Sequence, residues 1–119
     1  MIKKMQFVSI TVTDIELAKD FYVNKLGFKL LIENPLHGGN KFIMVCPLGG
    51  DTSIVFTLPF PNREHLPSFG IAFITDSVEK TYDELSNKGI TFSQKPTKAP
   101  WGGSEAFFVD PFGNSFMLH

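Results

Sequence analysis

The chain has 119 residues, of which 43% are hydrophobic and 19% are charged, and its formal net charge is −1. This length is enough for one domain that buries a core without disulfides or a structural metal. The nearly balanced charge and the lack of a basic run argue against nucleic acid or an anionic membrane as the main partner. The single cysteine, Cys46, excludes an internal disulfide and is interpreted as a small strand residue of a reduced compartment.

The first residues include two lysines, but no apolar stretch long enough for a signal peptide follows, and no transmembrane run occurs. We therefore expect a cytoplasmic protein. Phe is unusually frequent, with thirteen residues against one Trp and two Tyr. Because Phe supplies bulk and aromatic faces without a polar group, this composition predicts a large core or an aromatic-lined cavity.

The first strand is predicted over residues 5–12, where apolar residues alternate with those of the opposite face. Phe7, Ser9 and Thr11 share this opposite face. After a helix, three further strands are predicted over residues 28–33, 41–46 and 52–58.

The second half of the chain repeats this plan, with strands predicted over residues 69–74, 90–93, 105–109 and 115–118. A long loop over residues 94–103 contains Trp101, and turn-forming residues over 110–114 join the last two strands into a hairpin. The order βαβββ, βαβββ predicts an α+β fold in which one helix covers one face of each sheet. A ferredoxin-like dimeric α+β barrel is the alternative fold.

Each half has one predicted helix, which ends at a glycine where a left-handed residue is favoured. The first helix is capped by Thr13 or Asp14, and Thr13 has capping-box spacing to Glu16. In the second helix, Asp76 has the same spacing to Glu79. We therefore predict Asp76 as the second cap.

The two halves are related by an internal repeat. Asp14 to Asp76 is 62 positions (76 − 14), and Gly27 to Gly89 is also 62 (89 − 27). The alternation of the strands fits a 63-residue offset equally well. A repeat of about half the chain length predicts two similar supersecondary modules.

We predict that residues 1–119 form a single domain built from these two modules. Module one covers residues 1–58, and module two covers residues 68–119. The linker between them, residues 59–67, holds three prolines and shows no periodicity.

These features resemble the vicinal oxygen chelate superfamily, which includes glyoxalase I, bleomycin-resistance proteins and extradiol dioxygenases. The resemblance rests on residues 13–22, Leu26-Gly27-Phe28, Trp101-Gly102-Gly103 and the turn Asp110-Pro111-Phe112-Gly113-Asn114. It implies paired βαβββ modules whose sheets curve into a cup, usually within a homodimer, but it leaves the function open because the fold hosts several chemistries. Phe112 stands where the family usually has a polar turn residue, so we expect its ring at a wet tip.

The metal-dependent branches of this family place one His, Gln or Glu ligand on each of four strands. Carried over to this chain, the positions fall on Phe7, on Val55 or Phe56, on Gly70 or Phe69, and on Met117. These residues offer no imidazole or carboxylate, which divalent ions of this kind need. We therefore predict that the protein uses no metal and no other cofactor.

Five further residues are candidates for chemistry. The ring of Trp101 either plugs the edge of the core or stacks on a bound ligand. Glu105 is either a surface charge or a base and hydrogen-bond acceptor for a ligand. His119 is either an exposed terminal residue or part of the rim of the cup. His37 and His65 lie in predicted loops, where His37 could act as a flap.

We predict a metal-independent protein that holds an apolar or aromatic small molecule in the cup, in a resistance or sequestration role. The predicted ligand-binding residues are Phe7, Ser9, Thr11, Val55, Ile74, Trp101, Glu105 and Met117. The alternative is a lyase, isomerase or dioxygenase with a displaced metal or an acid/base such as Glu105. A third hypothesis is an interaction module whose cup is filled by its own side chains. The expected partners are a small-molecule ligand and a second copy of the chain, not nucleic acid or membrane.

Overall fold

The structure is a computed structural model that describes residues 1–59 and 66–119. The chain divides into two compact units, Met1–Leu66 and Pro67–His119. Most of the predicted linker, together with His65, lies outside the described residues.

Eight strands and two α-helices are described in the order predicted from the sequence, βαβββ followed by βαβββ. In the first unit they are β1 (Phe7–Thr11), α1 (Ile15–Lys19), β2 (Lys29–Pro35), β3 (Lys41–Cys46) and β4 (Ser53–Thr57). In the second unit they are β5 (Ile71–Phe73), α2 (Val78–Asn87), β6 (Thr91–Lys98), β7 (Ser104–Val109) and β8 (Ser115–Leu118). A π-helical segment, Asp20–Lys25, extends α1, and a short 3-10 turn, His37–Gly39, precedes β3. The predicted α+β fold is confirmed.

The first unit contains a four-stranded sheet in the order β1-β4-β3-β2, with β1 parallel to β4 and the other neighbours antiparallel. Asp14 caps the helix, because its carboxylate accepts a hydrogen bond from the backbone N–H of Leu17 at 3.0 Å. The helix then buries Ala18, Phe21 and Tyr22. Burial of this stripe against one sheet face contributes to the stability of the unit.

The second unit repeats this arrangement, with the sheet order β5-β8-β7-β6 and β5 parallel to β8. Its core contains an aromatic cluster in which Phe108 and Phe116 stack with ring centroids 5.3 Å apart. Phe73 stacks on Phe116 at 5.2 Å. This cluster accounts for part of the high Phe content.

The predicted cap of the second helix is wrong by one residue. The Ser77 hydroxyl, not the Asp76 carboxylate, accepts the backbone N–H of Lys80, at 3.2 Å. Both side chains are good caps, so their identity does not decide between them. Starting the helix at Val78 places this residue in the core, where it is 5% exposed.

The sixth strand is longer than predicted, because β6 runs through most of the expected loop to Lys98. It includes Pro96, a residue that normally interrupts a sheet. The strand tolerates proline because it lies at the sheet edge and its pairing with β7 is irregular between Gln94 and Thr97. The irregular segment that remains is the turn from Ala99 to Gly103.

The expectation of a wet Phe112 ring is also wrong, since this side chain is only 9% exposed. One carboxylate oxygen of the buried Asp110 accepts the backbone N–H groups of Phe112 (2.9 Å) and Asn114 (2.8 Å). The Asn114 side chain in turn accepts the backbone N–H of Ser68 at 2.7 Å. These bonds fold the turn back onto its own unit, so the phenyl ring packs inward.

Candidate ligand-binding site

Each sheet has one face toward its own helix and an opposite face, which we call the open face. The first open face contains Phe7, Ser9, Thr11, Met44 and Val55. The strand registers establish this grouping, because Ser9 and Met44 both pair with Val55, and successive residues of a strand alternate between faces.

The register resolves the sequence ambiguity between Val55 and Phe56. Phe56 lies on the helix side, where its ring centroid is 5.2 Å from that of Tyr22. Val55 therefore belongs to the open face, together with Phe7, which is 40% exposed. Four predicted ligand-binding residues of the first unit, Phe7, Ser9, Thr11 and Val55, are thus brought to one face.

The second open face contains Ala72, Glu105, Phe107 and Met117. Ala72 and Phe107 both pair with Met117, and Glu105 joins them by strand alternation. Ile74, two residues beyond Ala72, is 90% exposed just after the end of β5. The predicted residues Ile74, Glu105 and Met117 therefore belong to one side of this unit.

Met44 and Phe107 are open-face residues that were not predicted. The sequence already indicated the face of Phe107. This residue lies two positions after Glu105 on the same predicted strand, and alternate residues of a strand share a face. Phe107 adds an aromatic side chain, and Met44 adds a polarisable one.

Trp101 lies at the edge of the second unit in the turn from Ala99 to Gly103. The turn is closed by two backbone hydrogen bonds, from Ala99 N–H to the Gly103 carbonyl (2.9 Å) and from Gly102 N–H to the Ala99 carbonyl (3.1 Å). The Trp101 side chain is 61% exposed. A ring this exposed does not fill the edge of the core of its unit.

His119 holds the indole in place. The Trp101 N–H donates to the Nε2 atom of His119 at 2.9 Å, and the two rings are 5.8 Å apart. His119 Nε2 also lies 3.2 Å from the carbonyl oxygen of Gly102. One nitrogen cannot accept and donate at the same time, and an indole N–H can only donate, so Nε2 is the acceptor. His119 is therefore a structural partner of Trp101.

Glu105 on the second open face has a buried carboxylate oxygen without a hydrogen bond in the described part of the chain. This oxygen, Oε2, has essentially no exposed surface. The preceding residue is anchored, because the Ser104 hydroxyl donates to the Glu79 carboxylate at 2.5 Å. This bond holds the pKa of Glu79 below its ordinary value and ties the first turn of α2 to the start of β7.

A separate cleft of about 290 Å³ lies in the first unit, and its lining includes Asp14, Glu16 and Lys41. The Lys41 ammonium bonds the carboxylates of Glu16 and Glu33, both at 2.9 Å. The charges lining this cleft therefore pair largely with one another, and the cleft shares no residue with the open faces. It is not a predicted site.

The residues at the family's metal-ligand positions do not suit a metal. Phe7 and Val55 share the first open face, while Gly70 precedes β5 and Met117 lies on the second open face. A thioether is the one potential ligand among them, and it suits soft ions such as Cu(I) rather than Zn²⁺ or Fe²⁺. Across residues 1–59 and 66–119, no three His, Cys, Asp or Glu side chains are grouped so as to hold an ion.

The other histidine that the structure describes, His37, is exposed in the short turn before β3. Cys46 is buried, with its sulfur 3.2 Å from the Gly50 carbonyl and 3.4 Å from the Thr52 carbonyl. Neither residue is brought to the predicted site. Among the described residues, no helix has the length and apolarity that a membrane crossing requires.

Comparison with known proteins identifies the family. The model of the Glyoxalase/Bleomycin resistance protein/Dioxygenase superfamily matches residues 4–118. A crystal structure of a member of this superfamily from Sphaerobacter thermophilus DSM 20745 is 36% identical, with a TM-score of 0.88 over 98% of this chain and 96% of that one. TnmS3, an antibiotic binding protein from Streptomyces sp. CB03234, is 38% identical, with a TM-score of 0.86 over 99% and 95% of the two chains.

The uncharacterized protein YwkD of Bacillus subtilis (strain 168) is 31% identical over 117 residues, which cover 93% of this chain and 91% of YwkD. The matches thus extend over nearly the whole length of both partners. The chain belongs to the Glyoxalase/Bleomycin resistance protein/Dioxygenase superfamily.

Proposed function

We propose that this protein is a metal-independent small-molecule-binding protein of the glyoxalase/bleomycin-resistance type. It holds an apolar or aromatic ligand against an open sheet face, in a resistance or sequestration role. The observation that carries the proposal is the presentation of Trp101. A tryptophan that is 61% exposed, fixed by a hydrogen bond and placed in a closed turn is suited to stacking on a ligand.

The chemistry of the open faces supports this proposal. Phe7 on the first face is 40% exposed, and Phe107 and Met117 on the second are partly exposed, so these side chains offer apolar and polarisable surface, whereas Val55 is only 4% exposed. Ligand pockets in proteins are typically apolar with a few polar groups that orient the ligand. Ser9, Thr11 and Glu105 would supply such groups. The likeness to TnmS3, described as an antibiotic binding protein, points in the same direction.

A second candidate function is a metal-free lyase or isomerase that uses Glu105 as its acid/base. The specific observation in its favour is the unpartnered Oε2 atom of Glu105 on the open face. A carboxylate in this setting is a candidate for proton transfer. The binder is preferred because the structure brings no second acid/base group into hydrogen-bond contact with Glu105 among the described residues.

A fluorescence titration tests the proposed function. Trp101 is the one tryptophan in the chain, so its emission reports directly on the site. A panel of aromatic and antibiotic compounds is titrated into metal-stripped protein, and each hit is then measured by calorimetry on wild type, Trp101→Ala and Trp101→Phe. We expect Trp101→Ala to weaken binding by about tenfold or more, because both ring stacking and burial are lost.

Trp101→Phe serves as the matched control, since it keeps an aromatic face but loses the hydrogen bond to His119, and its affinity should lie between those of wild type and Trp101→Ala. Both variants should unfold at nearly the wild-type temperature, because the side chain is mostly exposed. Equal affinities of wild type and Trp101→Ala would contradict the proposal. Turnover of a hit compound that disappears in Glu105→Gln would favour the enzyme instead.

A further inference from the structure

We propose that Glu105 selects ligands that carry a cationic, hydrogen-bond-donating nitrogen next to their aromatic or apolar part. This inference rests on the proposed function and names the ligand class. It is carried by the burial of one carboxylate oxygen, by the pairing of the polar groups around it, and by the apolar character of the face to which it belongs.

The first observation is the state of the carboxylate. Oε2 of Glu105 has under 1 Å² of exposed surface and makes no hydrogen bond within the described residues. A buried acceptor without a partner is costly, and a buried charge is more so. The Glu105 side chain as a whole is only partly buried, so this oxygen lies near the surface of the unit.

The second observation is that the polar neighbours are engaged elsewhere. Thr97 is paired with Glu105 across the strands. Its hydroxyl, however, accepts a hydrogen bond from the side-chain amide of Gln94 at 2.8 Å. The Ser104 hydroxyl is bonded to Glu79. The ion pairs in the described part of the chain involve Lys19 and Lys41, and none includes Glu105.

The third observation concerns access. Glu105 follows directly on the turn that carries Trp101, and two glycines with positive φ, Gly102 (106°) and Gly103 (71°), join the two positions. Glycine is the residue that allows such backbone angles without strain. Three residues thus separate Trp101 from Glu105, which is the second residue of β7.

The chemistry of the group defines the ligand class. An ionised carboxylate only accepts hydrogen bonds, so its partner must be a donor. A cationic donor makes a shorter and stronger bond than a neutral one and also neutralises the charge. Phe107 and Met117 on the same face then contact the apolar part of the molecule. The fitting ligand is an aromatic or apolar amine, not a carboxylic acid.

Three probes of one shape test this inference: naphthylmethylamine, naphthylmethanol and naphthylacetate. Their affinities are measured by calorimetry at neutral pH on wild type, Glu105→Gln and Glu84→Gln. The Glu84 variant is the matched control, because it removes an exposed carboxylate of α2 by the same chemical change. Wild type should bind the amine about tenfold or more tightly than the alcohol, and the acetate most weakly.

Glu105→Gln should remove most of the preference for the amine while leaving the affinity for the alcohol nearly unchanged, and Glu84→Gln should change neither. Equal binding of amine and alcohol by wild type, or a preference that survives in Glu105→Gln, would overturn the inference and leave the proposed function standing. Failure of all three probes to bind would overturn both. The comparison of probes on wild type alone decides the matter even if the Glu105 variant folds poorly.

Discussion

The indole N–H of Trp101 donates a hydrogen bond to Nε2 of His119 across 2.9 Å. The backbone of His119 is fixed in turn, since its carbonyl accepts the N–H of Thr75 (2.9 Å) and its N–H donates to the Phe73 carbonyl (3.0 Å). A ring in a surface turn is thereby connected to the edge of a β-sheet. The orientation of Trp101 is consequently a property of the second sheet and not of the turn alone.

His119→Ala should release the indole without unfolding the protein. The loss of one partly exposed hydrogen bond costs about 1 kcal/mol of unfolding free energy. Quenching of Trp101 fluorescence by iodide should increase, and the affinity for an aromatic ligand should fall several-fold, since the ring is no longer preorganised. Replacement of the exposed His37 by Ala is the control and should change neither quantity. Unchanged quenching in His119→Ala would contradict the role of this bond.

Asp110→Ala should be among the more destabilising single substitutions in the second unit. Its carboxylate accepts from two backbone N–H groups and from the side-chain amide of Asn114, at 2.7 to 2.9 Å, in a buried setting. Unpairing these donors should lower the free energy of unfolding by about 3 kcal/mol in a urea titration. Asp51→Ala, at an exposed turn residue, should stay within about 0.5 kcal/mol of wild type. A loss below about 1 kcal/mol in Asp110→Ala would argue against this network.

The ion pairs of the first unit predict a specific pH dependence. Hydrogen bonds from the Lys19 ammonium (2.7 Å) and the Lys41 ammonium (2.9 Å) hold the pKa of Glu33 below its ordinary value of 4.5. Bonds to Glu16 and Glu33 raise the pKa of Lys41 to about 12. A depressed acid pKa stabilises the fold above the ordinary pKa, and this contribution is lost as the pH falls through the folded-state pKa.

We therefore expect Glu33→Gln to unfold at a lower urea concentration than wild type near neutral pH. The difference should shrink as the pH falls from about 7 to about 3, and also at high salt. The raised pKa of Lys41 acts in the opposite direction: its contribution is present below 10.5 and is lost only as the pH rises through about 12. Glu84→Gln, at an exposed position without an ion pair in the described part of the chain, should show no such trend. A constant difference between wild type and Glu33→Gln would contradict the assignment.

Much of the fold was predictable because local signals agreed with tertiary packing. The alternation along β1 correctly placed Ile10 in the core and Phe7 on the opposite face. Glycines that end the helices were also recognisable, since Gly27 and Gly89 adopt φ angles of 77° and 85°. These positions require a left-handed backbone, which few other residues tolerate.

The error at the second helix cap arose because tertiary contacts chose between equivalent local signals. Asp76 and Ser77 are both good caps, and the burial of Val78 decided between them. The helix caps of the two units are consequently 63 positions apart (77 − 14), whereas the helix-ending glycines are 62 apart. The repeat therefore has both offsets that the sequence allowed.

The sheet face of several candidate residues was predictable, but their contacts were not. Strand alternation correctly grouped Phe7, Ser9 and Thr11. The bond between Trp101 and His119 joins residues 18 positions apart that share no motif, so no sequence pattern indicates it. The isolation of the Glu105 carboxylate is similarly a property of packing. Composition and spacing do not encode it.

We propose that the protein forms a two-fold homodimer. Phe69 and Ile74 are 86% and 90% exposed, and a symmetric dimer is the commonest way in which a chain covers such apolar surface. Light scattering at micromolar concentration should give twice the chain mass of 13.3 kDa. Phe69→Lys should shift the mass toward the monomer, whereas Leu48→Lys, at another exposed apolar residue, should not. A monomer mass for wild type would rule out the proposed assembly.

We expect Trp101 and an open sheet face to bind an aromatic small molecule without a metal. The most direct measurement is a titration of naphthylmethanol into chelator-treated, isotopically labelled protein, followed by amide NMR. We expect chemical-shift changes that concentrate at the open-face positions and at the indole N–H of Trp101, with elemental analysis showing no stoichiometric metal. Shifts confined to the cleft lined by Glu16 and Lys41, or binding that appears only after a divalent metal is added, would contradict this expectation.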